Sequence, residues 1–154
     1  MTASASAPEP GAFNCVINIK GTQRADGDTD RLSLSTLGKF YKKDDDYYIS
    51  YTETEATGYN GAVTTLRVEA DRRVTMSRTG EAVSQLTLEK GRKHMCHYDT
   101  GFGSFMLGVR ADTIENRLTD KGGRLRLRYA LDLNATQLSE NELDITVREN
   151  KNNA

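Results

Sequence analysis

The segment 123–133 reads Gly-Arg-Leu-Arg-Leu-Arg-Tyr-Ala-Leu-Asp-Leu, and its near-perfect alternation constrains the fold more than any other feature of the chain. Successive side chains of a strand point to opposite faces, so Leu125, Leu127, Tyr129, Leu131 and Leu133 share one face while Arg124, Arg126, Arg128 and Asp132 share the other. A helix would scatter both sets. Leu143, Ile145 and Val147 repeat the rhythm against Glu142, Asp144 and Arg148, and the polar stretch 134–141 reads as the loop between two antiparallel strands.

The same period runs through the rest of the chain. Phe13, Cys15, Ile17 and Ile19 share a parity and lead into the turn 25–28; Leu32, Leu34 and Phe40 follow on the next strand, where Gly38 predicts a bend or bulge. Tyr47, Ile49 and Tyr51 oppose Tyr48, Ser50 and Thr52, and aromatic residues on both faces imply that neither is fully wet. Beyond the glycine-containing connection 57–61, which suits a lid or a turn, come short strands at 62–69, 73–78, 83–89 and 92–99, then a face made by Phe105, Leu107 and Val109. The capping-box spacing of Asp112 and Glu115 allows a helical turn over 112–118. One isolated turn would have little apolar surface to hold it, so a bulged strand is the expected form. Turns every eight to twelve residues, with no βαβ rhythm, predict an all-β, antiparallel up-and-down barrel of about eight to ten strands.

With 154 residues the chain suffices for a single domain, expected over 13–149, between a disordered N-terminal tail (1–12) and a disordered end (150–154). Twenty-one basic residues against 22 acidic ones give a net charge of −1, which offers no global attraction to nucleic acid or to an anionic membrane. No run of eighteen apolar residues marks a spanning helix. Cys15 and Cys96 are too few and too distant for a disulfide framework or a zinc spacing and read as free thiols in a reducing cytoplasm. The tail has neither the basic nor the apolar region of a secretory signal.

Four segments together carry a family likeness: Gly38-Lys39-Phe40-Tyr41-Lys42-Lys43, Tyr47-Tyr48-Ile49-Ser50-Tyr51, Ser84-Gln85-Leu86-Thr87-Leu88-Glu89-Lys90-Gly91, and Glu115-Asn116 through Gly122-Gly123 to Tyr129-Ala130-Leu131. In order and spacing they resemble the YwiB-like family of bacterial proteins over roughly 18–149. The resemblance implies a calycin-like β-barrel, related in architecture to lipocalins, with a bacterial cytoplasmic setting and room for an internal cavity. The family's function is unknown, so it transfers no active site.

Read from the residues, a barrel of nine or ten strands approaches the width at which side chains no longer fill the interior. A small, partly apolar molecule is therefore the expected partner, held by Tyr47, Tyr51, Tyr98 and Tyr129 with Gln85 and His94 as polar handles. The rival is a barrel packed solid that acts through its surface or as a scaffold. His97 and Asp99 share a face and could form an oriented base, with Ser84 or Ser104 supplying a hydroxyl, yet no nucleophile elbow, Walker loop or dinucleotide fingerprint accompanies them. The reading leans away from an enzyme. His94 and His97 lie three apart, on opposite faces, so they cannot chelate one ion together, and neither metal nor cofactor is expected. The Arg124, Arg126, Arg128 stripe could meet phosphate, but Glu142 and Asp144 on the next strand should neutralise it, and nucleic acid is not the expected partner. A monomer or small homo-oligomer is expected.

Overall fold

The computed structural model describes residues 14–54, 61–80, 83–99 and 103–150. Ten strands run through them: β1 (Cys15–Ala25), β2 (Asp28–Lys43), β3 (Asp46–Thr52), β4 (Val63–Glu69), β5 (Arg73–Thr79), β6 (Ser84–Glu89), β7 (Lys93–Asp99), β8 (Ser104–Thr119), β9 (Gly122–Leu133) and β10 (Thr136–Glu149). Each neighbours the next in an antiparallel sheet, and β1 pairs back with β10 from Cys15↔Glu149 to Arg24↔Glu140. The sheet is closed. It is the all-β up-and-down barrel that the alternation predicts, with ten strands. The tail 1–12, the connection 57–60 and residues 151–154 of the expected disordered end lie outside the described residues.

Three of the hairpins turn on two residues with positive φ: Asp26 and Gly27 (52° and 80°), Asp44 and Asp45 (52° and 73°), and Asn134 and Ala135 (51° and 66°). That backbone matches the twist of the flanking strands. The third turn corrects the expected loop over 134–141, because only Asn134 and Ala135 are turn and β10 begins at Thr136. Within the polar run the register shifts between Gln137 and Ser139 and leaves Leu138 exposed, while Ser139 and Asn141 point inward on the parity of Leu143 and Ile145. A second shift, between Ala111 and Thr113, bulges β8 where a bulged strand is expected. Gly38 carries no bulge, since its register with both Cys15 and Tyr51 is unbroken. It is needed for close approach: a Cβ there would stand 2.2 Å from Ile17 Cδ1 and 2.6 Å from the Ser50 carbonyl oxygen.

The chain direction defines two ends. The lower end holds the turns at 44–45, 70–72, 90–92 and 120–121, and the upper end those at 26–27 and 134–135. Ile49, Val68, Val74, Leu88, Leu125 and Val147 are among the inward residues buried toward the lower half. Contacts between strands that are not neighbours close this end across the barrel. Asn116 of β8 reaches the β4–β5 turn, its backbone N–H donating to Asp71 Oδ1 and its Nδ2 to the Ala70 carbonyl, both at 2.9 Å. Tyr47 stacks on Phe40 with ring centroids 5.3 Å apart and donates its hydroxyl to Asp120 Oδ1 at 2.8 Å. On the outer face Tyr41 and Tyr48 stack in the same way, at 5.1 Å, which accounts for the aromatic residues on both sides of β3.

Above Gly38 the arrangement changes. β2 pairs with β3 only from Gly38 to Lys43, so among the described residues its upper part, 28–37, pairs with β1 alone. Leu32 and Leu34 on this stretch are half-buried, where the corresponding positions lower in the barrel are fully buried.

Candidate functional site

Following the inward parity of each strand to the upper end leads from an apolar core into a mixed site. On β3 the series Tyr47, Ile49, Tyr51 continues to Glu53, just beyond the strand; on β5, Val74 and Met76 continue to Arg78; on β9 and β10 the inward residues are Tyr129 and Asn141. Of these, Tyr51, Glu53, Met76, Arg78, Tyr129 and Asn141, with Leu32, Leu34 and Leu66, line a cavity of about 400 Å³. Grooves of similar volume cross the outer wall, such as the one between Lys20, Glu115, Arg126 and Asp144. Volume alone therefore does not single out the interior. What distinguishes it is an apolar wall with a few convergent polar groups, the usual make-up of a small-molecule site.

The polar groups centre on a buried carboxylate. Glu53 Oε2 accepts the Thr64 hydroxyl at 2.5 Å and lies 3.4 Å from Arg78 Nη2. The Glu53 side chain is 2% exposed and that of Arg78 17%, so Arg78 is the more accessible member of the pair. Withdrawing two charges from water costs several kcal/mol per ion, in rough terms, before their attraction and hydrogen bonds repay it. Apolar residues at 53 and 78 would avoid that cost. Tyr51 sits against the same carboxylate, and its hydroxyl is pushed well above the usual phenol range, first by burial and then by the Glu53 charge. Burial also pushes the Tyr129 hydroxyl up to about 12, with the nearby Arg78 charge working in the opposite sense. Both phenols are neutral hydrogen-bond donors at physiological pH.

Of the six residues that the sequence nominates, the cavity takes two, Tyr51 and Tyr129. Gln85 is corrected: Ser84, Leu86 and Leu88 point inward, so Gln85 stands exposed on the outer face. His94 has the inward parity but sits beside the lower turn of β6 and β7, its Nε2 3.0 Å from Glu89 Oε1, and this contact is the main cause holding the Glu89 carboxyl below its usual range. Tyr47 belongs to the braced lower end. Tyr98 points inward at the upper end, opposite Ser84 and packed against the core, without lining the cavity. Glu53, Arg78 and Asn141 were missed. All three were within reach of parity: Glu53 lies one step past Tyr51, Arg78 one past Met76 and Asn141 one before Leu143.

The other candidates take simpler places. His97 is exposed on the outer face of β7, away from the cavity, and Asp99 shares its parity. Arg128 bonds Glu142 and Arg124 bonds Asp144 across the β9–β10 ladder, as the cross-strand charges predict. Cys15 and Cys96 are buried free thiols; burial raises both, Cys15 to about 11, and the Cys15 thiol donates to the Gly38 carbonyl at 3.2 Å. Among the described residues no three His, Cys, Asp or Glu side chains group as a metal centre would require.

Residues 17–145 match the model of a family described as "Domain of unknown function (DUF1934)". The chain belongs to this family. The curated relative "Uncharacterized beta-barrel protein YwiB" of Bacillus subtilis (strain 168) is 23% identical over 130 residues, covering 84% of this chain and 89% of its own. A solved structure, "Crystal structure of ywiB protein from Bacillus subtilis", superposes with a TM-score of 0.78 at 20% identity, covering 90% of this chain and 93% of the other. At that identity the likeness shows the fold. The DUF1934 chain described here thus has the predicted kinship, and its function is not given by its relatives.

Proposed function

We propose that this DUF1934 protein binds a small, partly apolar molecule in the upper half of its barrel and releases it unchanged. The observation that carries the reading is the cavity of about 400 Å³ between Leu34, Leu66, Met76 and the rings of Tyr51 and Tyr129. That volume falls within the roughly 300 to 1,000 Å³ of ordinary ligand sites. The scaffold alternative fits the packed lower half and leaves the buried charges of the upper half without a role. The setting taken for this activity is a reducing cytoplasm, which suits two buried thiols, with the protein a monomer or small homo-oligomer. A lipid bilayer is not its partner in this reading, because charged Arg124, Arg128, Glu142 and Asp144 lie outside and aliphatic side chains inside, the reverse of a membrane barrel.

A thermal-shift screen of bacterial metabolites, with each hit checked by mass spectrometry for conversion, tests it. A ligand at a hundred times its dissociation constant should stabilise the protein by about 2.7 kcal/mol. Leu34→Trp, which places an indole in the cavity, should abolish the shift. Conversion of the bound molecule would make the protein an enzyme. Hits that are indifferent to Leu34→Trp would move binding to the surface and end the internal reading.

A further inference from the structure

We propose that the molecule held in the upper cavity is an amphipathic anion whose charged headgroup docks on Arg78 while its apolar body lies along Leu32, Leu34, Met76 and Tyr129. This rests on the internal-binding reading and specifies its ligand class. The charged residues among those lining the cavity with inward parity are Asp30, Glu53 and Arg78. Asp30 is exposed on the upper part of β2, at the rim. Glu53 is buried behind the site and already accepts the Thr64 hydroxyl and the Arg78 guanidinium on one oxygen. At depth a ligand cation would meet Glu53, a carboxylate already engaged by Thr64 and Arg78. Arg78 is the more exposed member of its pair, and a guanidinium is a planar fork that suits carboxylate and related oxyanions. Tyr129, buried on β9 and within reach of the Arg78 charge, keeps its proton at neutral pH and adds a neutral donor to the cavity wall. Around this cationic point the wall is aliphatic and aromatic, so it has a place for one anionic group and an apolar remainder.

A matched pair of fluorescent probes separates the charge from the body: 1-anilinonaphthalene-8-sulfonate, an anion, and N-phenyl-1-naphthylamine, its neutral counterpart with the same rings. The wild-type protein should bind the sulfonate about tenfold more tightly. Glu53→Gln, which frees the guanidinium from its buried counter-charge, should strengthen sulfonate binding several-fold and leave the neutral probe unchanged. The double substitution Glu53→Gln/Arg78→Gln should erase the preference, and being neutral it avoids stranding a buried carboxylate; circular dichroism checks that it folds. Equal affinity of both probes in all three proteins, with both displaced by Leu34→Trp, would overturn the anion assignment and leave internal binding standing. Weaker sulfonate binding in Glu53→Gln would also overturn it. If Leu34→Trp displaces neither probe, or the wild type binds neither, internal binding itself falls and the assignment with it.

Discussion

At the lower end of the barrel, aliphatic side chains meet across the axis and the turns at 70–72 and 120–121 are pinned to non-adjacent strands by Asn116 and Tyr47. At the upper end the same strands, with unchanged parity, turn Glu53, Arg78, Ser139 and Asn141 inward and leave space between them. The contrast separates two tasks that a continuous sheet can divide along its length. Apolar burial at one end holds the fold, at roughly 25 cal/mol per Å² removed from water. The other end spends part of that stability on charges and a cavity. A ligand site is therefore to be sought where the inward pattern stops being apolar, and not where the aromatic residues are most numerous.

The sharpest way to break this comparison is to truncate one leucine at each end. Leu125 is fully buried, and Leu125→Ala should cost about 2 to 5 kcal/mol in urea denaturation. Leu34 is half-buried and faces open space, so Leu34→Ala should cost less than about 1 kcal/mol. Equal costs would mean that the upper end is packed as tightly as the lower.

A second, smaller effect tests burial at the lower end through pH. The folded pKa of Cys15 is raised, so the folded state holds its proton where the unfolded chain has lost it. The associated stability is fully present below the ordinary thiol range and is lost as pH rises toward about 11. Its total is about 2 to 3 kcal/mol. The urea midpoint should fall more steeply between pH 8 and 11 in the wild type than in Cys15→Ala, which lacks the group; parallel slopes would show the thiol to be accessible.

The smallest effect belongs to the outer wall. Arg124→Gln and Arg128→Gln should each leave the urea midpoint close to that of the wild type, and added salt should shrink any difference, because exposed cross-strand pairs are screened by solvent. A large loss from either would place part of the barrel's stability outside both ends.

The strands were legible because period-two alternation is enforced wherever one face is buried and the other wet, and Leu125 to Leu133 or Ile17 to Ile19 could hardly be read otherwise. Legibility failed where something intervened between pattern and geometry. Ser139 and Asn141 hold the inward parity of Leu143, but their own polarity and that of their neighbours made the start of β10 look like loop. Gln85 was drawn into the site by its polarity although its neighbours Leu86 and Leu88 fixed its face. Glu53 and Arg78 went unnoticed because a charged residue at the end of a strand looks like the start of a turn. Their burial depends on β3, β4 and β5 lying side by side, which no single stretch of sequence displays.

The pairing of Cys15 with Glu149 has a consequence for how the molecule comes into being. Consecutive hairpins can form as the chain leaves the ribosome, since each strand pairs with the one just made. Closure cannot, because the first strand must wait for the last. Until β10 is made the barrel is an open sheet, with two unpaired edges and an uncovered apolar face, the state in which β proteins are most exposed to mispairing with other chains. Such long-range closure is also slow. The 14 residues of β10 thus decide whether the preceding strands become a barrel or a template for aggregation.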